Sequence, residues 1–336
     1  MRAVIYSDPG PSSVLQVVER PVPEPGPGEV RVRIVRSGVN PTDWKFRTRT
    51  SLDHDEVVPG QDGAGVIDAV GADVTGLSVG DRVWVVLAQH GRPYGTAAEF
   101  TVQPAAGVVP LPDSADFDLG ASLGVPAVTA HRALTAAEGG PTRLGPGALD
   151  AKVVLVAGGA GAVGNAAIQL ARWSGAYVLT TVSSDEKAVL ATAAGAHHVV
   201  NYRTSDTERE ILAVAPEGVD VVVEVAPAQN NALDLAVTKN HGTVAIYANN
   251  GGDSFPIDIR TTFSRNLRYQ FVLLYTLEPA LVRAATEDIN AAVSAGALRV
   301  GAEAGVPVHH FALEETAAAH DAVESGAVGK ILVDVG

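Results

Sequence analysis

The sequence contains no cysteine and one methionine, and aromatic residues fill 5% of its 336 positions. Without thiols there are no disulfides and no thiolate-ligated metal, which excludes a cysteine-rich structural zinc and a catalytic zinc held by Cys. Positive charge is scarce as well: 24 Lys and Arg stand against 38 Asp and Glu, a formal net charge of −14. With no basic cluster to oppose a phosphate backbone, nucleic acid is not an expected partner. No apolar run approaches the roughly 20 residues of a membrane span. The opening MRAVIYSDPG also lacks the basic-then-apolar order of a secretory signal. The expectation is a cytoplasmic protein with no membrane partner. Neither internal repeats nor low-complexity tracts are present. What remains is a globular composition, 46% hydrophobic, in a chain long enough for two domains with a core each.

The stretch around which the chain is organised is VVLVAGGAGAVGNAAIQL at 153–170. Val153, Val154, Leu155 and Val156 form the continuous apolar run of a parallel strand covered on both faces. Gly158, Gly161 and Gly164 follow at three-residue spacing. Glycines there let the chain turn sharply, approach a pyrophosphate without a Cβ in the way, and seat the next helix close to the strand. The first amides of that helix lack intrahelical partners and lie at the positive end of its dipole, so Gly158, Ala160, Gly161, Ala162, Val163 and Gly164 form an anion site. Gly175 ends the helix and the β-rich run 177–182 completes a strand–turn–helix–strand unit. The reading is dinucleotide binding.

Before this unit, residues 1–124 read as short β-runs cut by Gly and Pro, at 3–6, 14–18, 29–37, 63–70, 81–87 and 99–102. Their spacing predicts a compact, partly closed β-barrel. From Pro126 onward the texture alternates helix and strand, with strands expected at 153–156, 178–182, 198–201, 219–225, 242–248 and 268–274. That alternation predicts a doubly wound parallel sheet. The tail returns to β texture at 306–311, carries a helix at 313–325, ends with a strand at 330–335, and is expected to rejoin the first domain. The fold class is therefore α/β. The expected domains are 1–124 with 300–336, and 125–299.

Several stretches together carry a family pattern: GVNPTDWKFR at 38–47, VPGQDGAGVIDAVG at 58–71, VGDRVW at 79–84, GVPAVTAHRAL at 124–134, GGAGAVG at 158–164, NYR at 201–203 and GAVGKILV at 326–333. Over essentially its full length the chain resembles the medium-chain dehydrogenase/reductase superfamily, and within it the zeta-crystallin-like quinone oxidoreductases. The resemblance implies a GroES-like β-barrel catalytic domain, a Rossmann-type NADP-binding domain, an active site in the cleft between them, and a homodimer. It also implies departures from the zinc alcohol dehydrogenases. Asn40 stands where those have a Cys ligand, Gln61 and Asp62 stand where they have His and Glu, and the four-cysteine lobe is missing. No metal site is expected. Among the nine histidines, His197, His198, His309 and His310 fall at strand edges and His131 on a helix.

In NAD-binding units an acid ends the second strand and holds the ribose hydroxyls. Here that place is Val182 or Ser183, and the nearest acid, Asp185, starts the next helix. Ser183 and Ser184 can donate to a 2′-phosphate and Lys187 lies within one helical turn. The resemblance places a Lys here and a Tyr matching Tyr202 in the 2′-phosphate pocket, so NADPH is the expected cofactor. Ser184 acting only as a helix cap and Lys187 as a solvated charge is the alternative, and Asp185 turned toward the ribose would favour NADH. The resemblance further assigns Asn40 to the nicotinamide ribose, Thr129 to the nicotinamide side, Phe271 and Leu273 to the carboxamide through their backbones, and Lys330 to the cofactor. Phe271 read simply as a core aromatic is the plainer alternative.

Without a Lewis acid, hydride is expected to pass to a quinone or an α,β-unsaturated carbonyl, whose oxyanion hydrogen-bond donors can stabilise. Relatives place Tyr or Lys where this chain has Trp44-Lys45-Phe46, which makes Lys45 the expected proton donor, with solvent as the alternative. Gln61 and Asp62 are expected to line the former metal pocket, with plain structural hydrogen bonding as the equal alternative. An enoyl-thioester reductase and a non-catalytic NADPH-binding relative remain open as alternatives.

Overall fold

Gly and Pro cut the N-terminal region into short strands, and the computed structural model, which describes all 336 residues, shows where they fall. In order come β1 (Arg2–Ile5), β2 (Gln16–Glu19), β3 (Glu29–Val39), α1 (Pro41–Arg47), β4 (Asp62–Val70), β5 (Arg82–Val85), β6 (Phe100–Pro104), β7 (Val108–Pro110) and α2 (Phe117–Leu134). The second region alternates strand and helix: β8 (Val153–Ala157), α3 (Ala162–Trp173), β9 (Tyr177–Val182), α4 (Asp185–Ala193), β10 (His198–Asn201), α5 (Thr207–Val214) and β11 (Val219–Glu224). It continues with α6 (Pro227–Val237), β12 (Thr238–Ile246), α7 (Ile259–Ser264), β13 (Arg268–Phe271) and α8 (Pro279–Ser294). The chain ends with β14 (Val308–Ala312), α9 (Thr316–Glu324) and β15 (Lys330–Asp334). Two compact units result, Met1–Val125 with Pro307–Gly336, and Pro126–Val306.

The first unit is built on β3. One edge of this long strand pairs with β4 throughout, while the other pairs β6 over its first half and β15 over its second. Two register shifts against β4 add local twist, which is how one strand serves three partners. Alternate residues Val30, Val32 and Ile34 point inward with Val83, Val85, Ile331 and Val333 to form the core. The C-terminal strand β15 thus completes the sheet that the N-terminal strands begin.

The second unit holds a six-stranded, all-parallel sheet in the order β10-β9-β8-β11-β12-β13. Leu155, Leu179, Val200, Val222 and Val244 are buried in its core, which explains the unbroken apolar run of β8 and the three consecutive valines, 221–223, of β11. Chain order reverses between β8 and β11, so the crevice at their carboxyl ends is the topological switch point. His131 has a structural partner: Asp288 of α8 bonds its ring at 2.8 Å and also accepts from Arg143 and from Leu144 N.

Elements differ from expectation at a few places. A short 3-10 turn, Ser12–Val14, delays β2 to Gln16. β12 starts at Thr238 rather than 242 because His241, at φ 63°, bends the strand without ending it. Residues 300–306 lie with the second unit, where Gly301 and Val306 bond each other and Gly305 packs on Leu190 of α4.

Candidate functional site

In the second unit, the end of β8 turns at Gly158, whose φ of 73° is open to glycine at little cost. The amides of Gly158 and Gly159 both donate to Thr181 O, fixing the turn against β9. A Cβ on Gly164 would sit 2.4 Å from Gly158 O, so only glycine lets the first turn of α3 come this close. The helix is capped by Gly161, which offers no side-chain acceptor. Its first amides, on Ala162, Val163 and Gly164, therefore have no carbonyl one turn back and no cap. Such unpartnered amides at a helix start can donate to an anion.

At the end of β9 the side chains form a small polar group. Lys187 Nζ donates to Ser183 Oγ at 3.0 Å. Ser184 caps α4, its hydroxyl accepting from Lys187 N at 3.3 Å. The same hydroxyl donates to Glu186 and, with the backbone N–H of Glu186 itself, holds that carboxyl below its ordinary range. Ser184 is thus engaged locally, as a cap, in addition to the phosphate role expected of it. Asp185 does not extend freely from the helix start: its Oδ1 accepts from Asn201 Nδ2 at 2.9 Å. Tyr202, next to that Asn, is half exposed and its amide bonds Val182 O at 3.0 Å.

Along the other strands, Glu224 closes β11 at the switch point. It is buried and accepts from the amide of Ala226 and from Asn230 Nδ2. Burial raises its pKa, and burial together with Glu224 raises that of its partner Asp234, which shares a hydrogen bond with it. Thr129 is buried on α2. Phe271 and Leu273, at the end of β13, are exposed rather than core, with relative exposures of 63% and 55%.

The first unit holds a second, fully buried polar cluster. Asn40 is the N-cap of α1; its backbone N–H has no helix carbonyl to donate to and donates instead to Asp43 Oδ2 at 2.7 Å, closing a capping box. The Asn40 side chain donates to Asp62 Oδ2 at 2.7 Å and accepts from Lys330 Nζ at 2.7 Å. Lys330 Nζ lies 3.6 Å from Asp62 Oδ2, and Val125 N donates to Asp62 Oδ1 at 2.8 Å. Two glycines make the space. A Cβ on Gly124 would fall 2.0 Å from Asp62 Oδ1, and one on Gly38 would fall 2.2 Å from Ala121 O and 3.1 Å from Lys330 Nζ. Burial dominates the titration here: it pushes Asp43 up to about 7, raises Asp62 and lowers Lys330, with the acids and the ammonium each opposing the shift of the other.

The structure therefore brings Asn40 and Lys330 together, 290 residues apart in sequence, and adds Asp62 and Asp43. Lys45 is not part of this cluster. It lies in the last turn of α1, two residues past the buried Asp43 and so roughly 200° round the helix from it. Its Nζ is 5.8 Å from the Trp44 ring centroid. Gln61 is buried beside Asp62 in sequence, and its side-chain carbonyl has no partner. No group of three or more His, Cys, Asp or Glu side chains is arranged to hold a metal ion. Asp43, Asn201 and Glu224 escaped sequence reasoning. The first carried a signal, the Asn-Pro-x-Asp start of a capped helix at 40–43; the other two depend on pairings between elements.

Comparison with known proteins agrees with this construction. Residues 26–113 match the family described as alcohol dehydrogenase GroES-like domain, and residues 162–293 match the one described as zinc-binding dehydrogenase. The quinone oxidoreductase of Lama guanicoe is 32% identical, across 99% of this chain and 97% of its own. Among solved structures, an NAD-dependent alcohol dehydrogenase superposes with TM-score 0.84 at 29% identity, covering 100% of both chains. A mycobacterial protein complexed with NADPH superposes at 0.83 and 27% identity, covering 99% of both. The chain thus belongs to the quinone oxidoreductase family of the medium-chain dehydrogenase/reductase superfamily.

Proposed function

We propose that the protein is an NADPH-dependent, zinc-independent reductase that delivers hydride to a quinone or an α,β-unsaturated carbonyl. The observation that carries this reading is the pairing of Lys187 with Ser183 at the end of β9, where an NAD-binding unit would have a carboxylate. Lys187, Ser183 and Tyr202 would hold the 2′-phosphate, and the turn from Gly158 through Ala160 to Gly164 would hold the diphosphate. Asn40, Thr129, Lys330 and the backbones of Phe271 and Leu273 would meet the nicotinamide half. The bound dinucleotide supplies the hydride.

The composition of the Asn40 cluster supports zinc independence. An amide and an ammonium occupy it, and Lys330 already neutralises the one carboxylate it contacts. A quinone or an enone needs only modest stabilisation of the oxyanion formed on reduction, which hydrogen-bond donors can supply. Lys45 is the residue we assign to that oxygen and to its protonation. A homodimer joined through the edge strand β13 completes the reading, supported by the exposed Phe271 and Leu273 at and just past the end of that strand.

The test is steady-state oxidation of NADPH with a simple benzoquinone and with a short α,β-unsaturated ketone. Turnover of either acceptor is the expected outcome, and NADPH binding with no turnover of both would overturn the reading.

A further inference from the structure

The end of β9 carries two acids that work against a 2′-phosphate. Asp185 and Glu186 are the first residues of α4, flanked by Ser183 and Lys187, which are bonded to each other at 3.0 Å. A free carboxylate in this turn would repel a phosphate dianion and could instead accept both ribose hydroxyls of NADH. Each acid, however, is held by a local donor. The Ser184 hydroxyl takes Glu186. Asn201 Nδ2 takes Asp185 Oδ1 at 2.9 Å.

The second restraint comes from a neighbouring strand. Asn201 is the last residue of β10, which pairs with β9, and its side chain reaches across to the start of α4. Its own carbonyl oxygen accepts from Arg203 N at 3.2 Å, which fixes the amide so that the NH2 group faces Asp185. We infer that Asn201 is a specificity-positioning residue: by holding the Asp185 carboxylate it keeps that acid out of the adenosine ribose pocket and preserves selection for a 2′-phosphate. The inference rests on the NADPH reading above. Asn201 touches no phosphate itself and acts only through Asp185.

Equilibrium binding of NADPH and NADH tests it, by calorimetric titration of wild type, Asn201→Ala and the double variant Asn201→Ala/Asp185→Ala. The expected result is a fall in the NADPH-over-NADH preference of Asn201→Ala by at least about fivefold, equivalent to ~1 kcal/mol, with NADH binding unchanged or tighter. Removing Asp185 as well should restore the preference, because nothing then needs restraint. An unchanged preference in Asn201→Ala overturns the inference. So does a loss that persists in the double variant, which would mean that Asn201 acts by ordering the turn that carries Tyr202 and Arg203. Wild type binding both dinucleotides equally would overturn the cofactor reading itself, and the inference with it.

Discussion

Lys330 and His320 are both buried bases of the first unit, and the chain treats them differently. Lys330 keeps its partners: Asn40 Oδ1 accepts a hydrogen bond from its Nζ and the Asp62 carboxylate pairs with it at 3.6 Å, so a charge that is costly to bury is compensated within one cluster. The Asn40 amide is used in both directions, oxygen to the ammonium and NH2 to the carboxylate, and so cannot flip. His320 on α9 has no such partner. Its Nδ1 makes no hydrogen bond, and burial, with the nearby Arg47 guanidinium, lowers its pKa to about 4. In the unfolded chain His320 takes up a proton near 6.5. Between those two values the unfolded state binds more protons, so this residue contributes stability that is intact above pH 6.5 and is lost as pH falls toward 4. The loss reaches up to about 3 kcal/mol. Asp43, raised to about 7, acts in the opposite sense over part of the same range, so the comparison must be between variants. As pH falls from 6.5 to 4, wild type should therefore lose stability relative to His320→Gln, so that the difference between their denaturant midpoints shifts in favour of the variant. Parallel profiles for the two proteins would count against it.

At the scale of elements, the β8–turn–α3 unit sets the geometry of the proposed dinucleotide site. Gly164→Ala puts a methyl group 2.4 Å from Gly158 O, and neither atom belongs to a flexible side chain. The helix start must move, at about 1–3 kcal/mol, and its amides move with it. Thermal unfolding should come at a lower temperature and NADPH should bind at least tenfold more weakly; unaltered affinity would mean that the amides of α3 do not hold the diphosphate. This unit was legible in the sequence because everything it needs is local: an apolar run, three glycines and a helix-forming stretch. The cap of α4 by Ser184 was equally local. The helix α1 was also written locally, in Asn40, Pro41 and Asp43, yet it stood outside the elements expected, since the neighbouring Trp44, Lys45 and Phe46 drew attention to chemistry instead. The Asn40–Asp62–Lys330 cluster and the Asn201–Asp185 bond could not be read that way. They exist because β15 pairs with β3 and β10 with β9, and register between distant strands leaves no periodic trace in either segment.

For the whole molecule, the two units differ in sheet type: the all-parallel sheet has a switch-point crevice between β8 and β11, and the unit built on β3 holds the buried Asn40 cluster and Lys45. The formal charge of −14 makes a localised basic feature such as Lys187 conspicuous for an anionic ligand. No helix is long and apolar enough to cross a membrane. Sedimentation should give twice the 34.5 kDa chain mass if β13 joins two copies, and a species of single mass at micromolar concentration would remove the dimer. The most direct test of the central claim is the affinity of the wild-type protein for NADPH and NADH measured side by side. With Ser183 and Lys187 binding the 2′-phosphate, NADPH should bind at least about tenfold more tightly, as a charge-assisted contact of this kind allows. Equal affinities, or a preference for NADH, would contradict it.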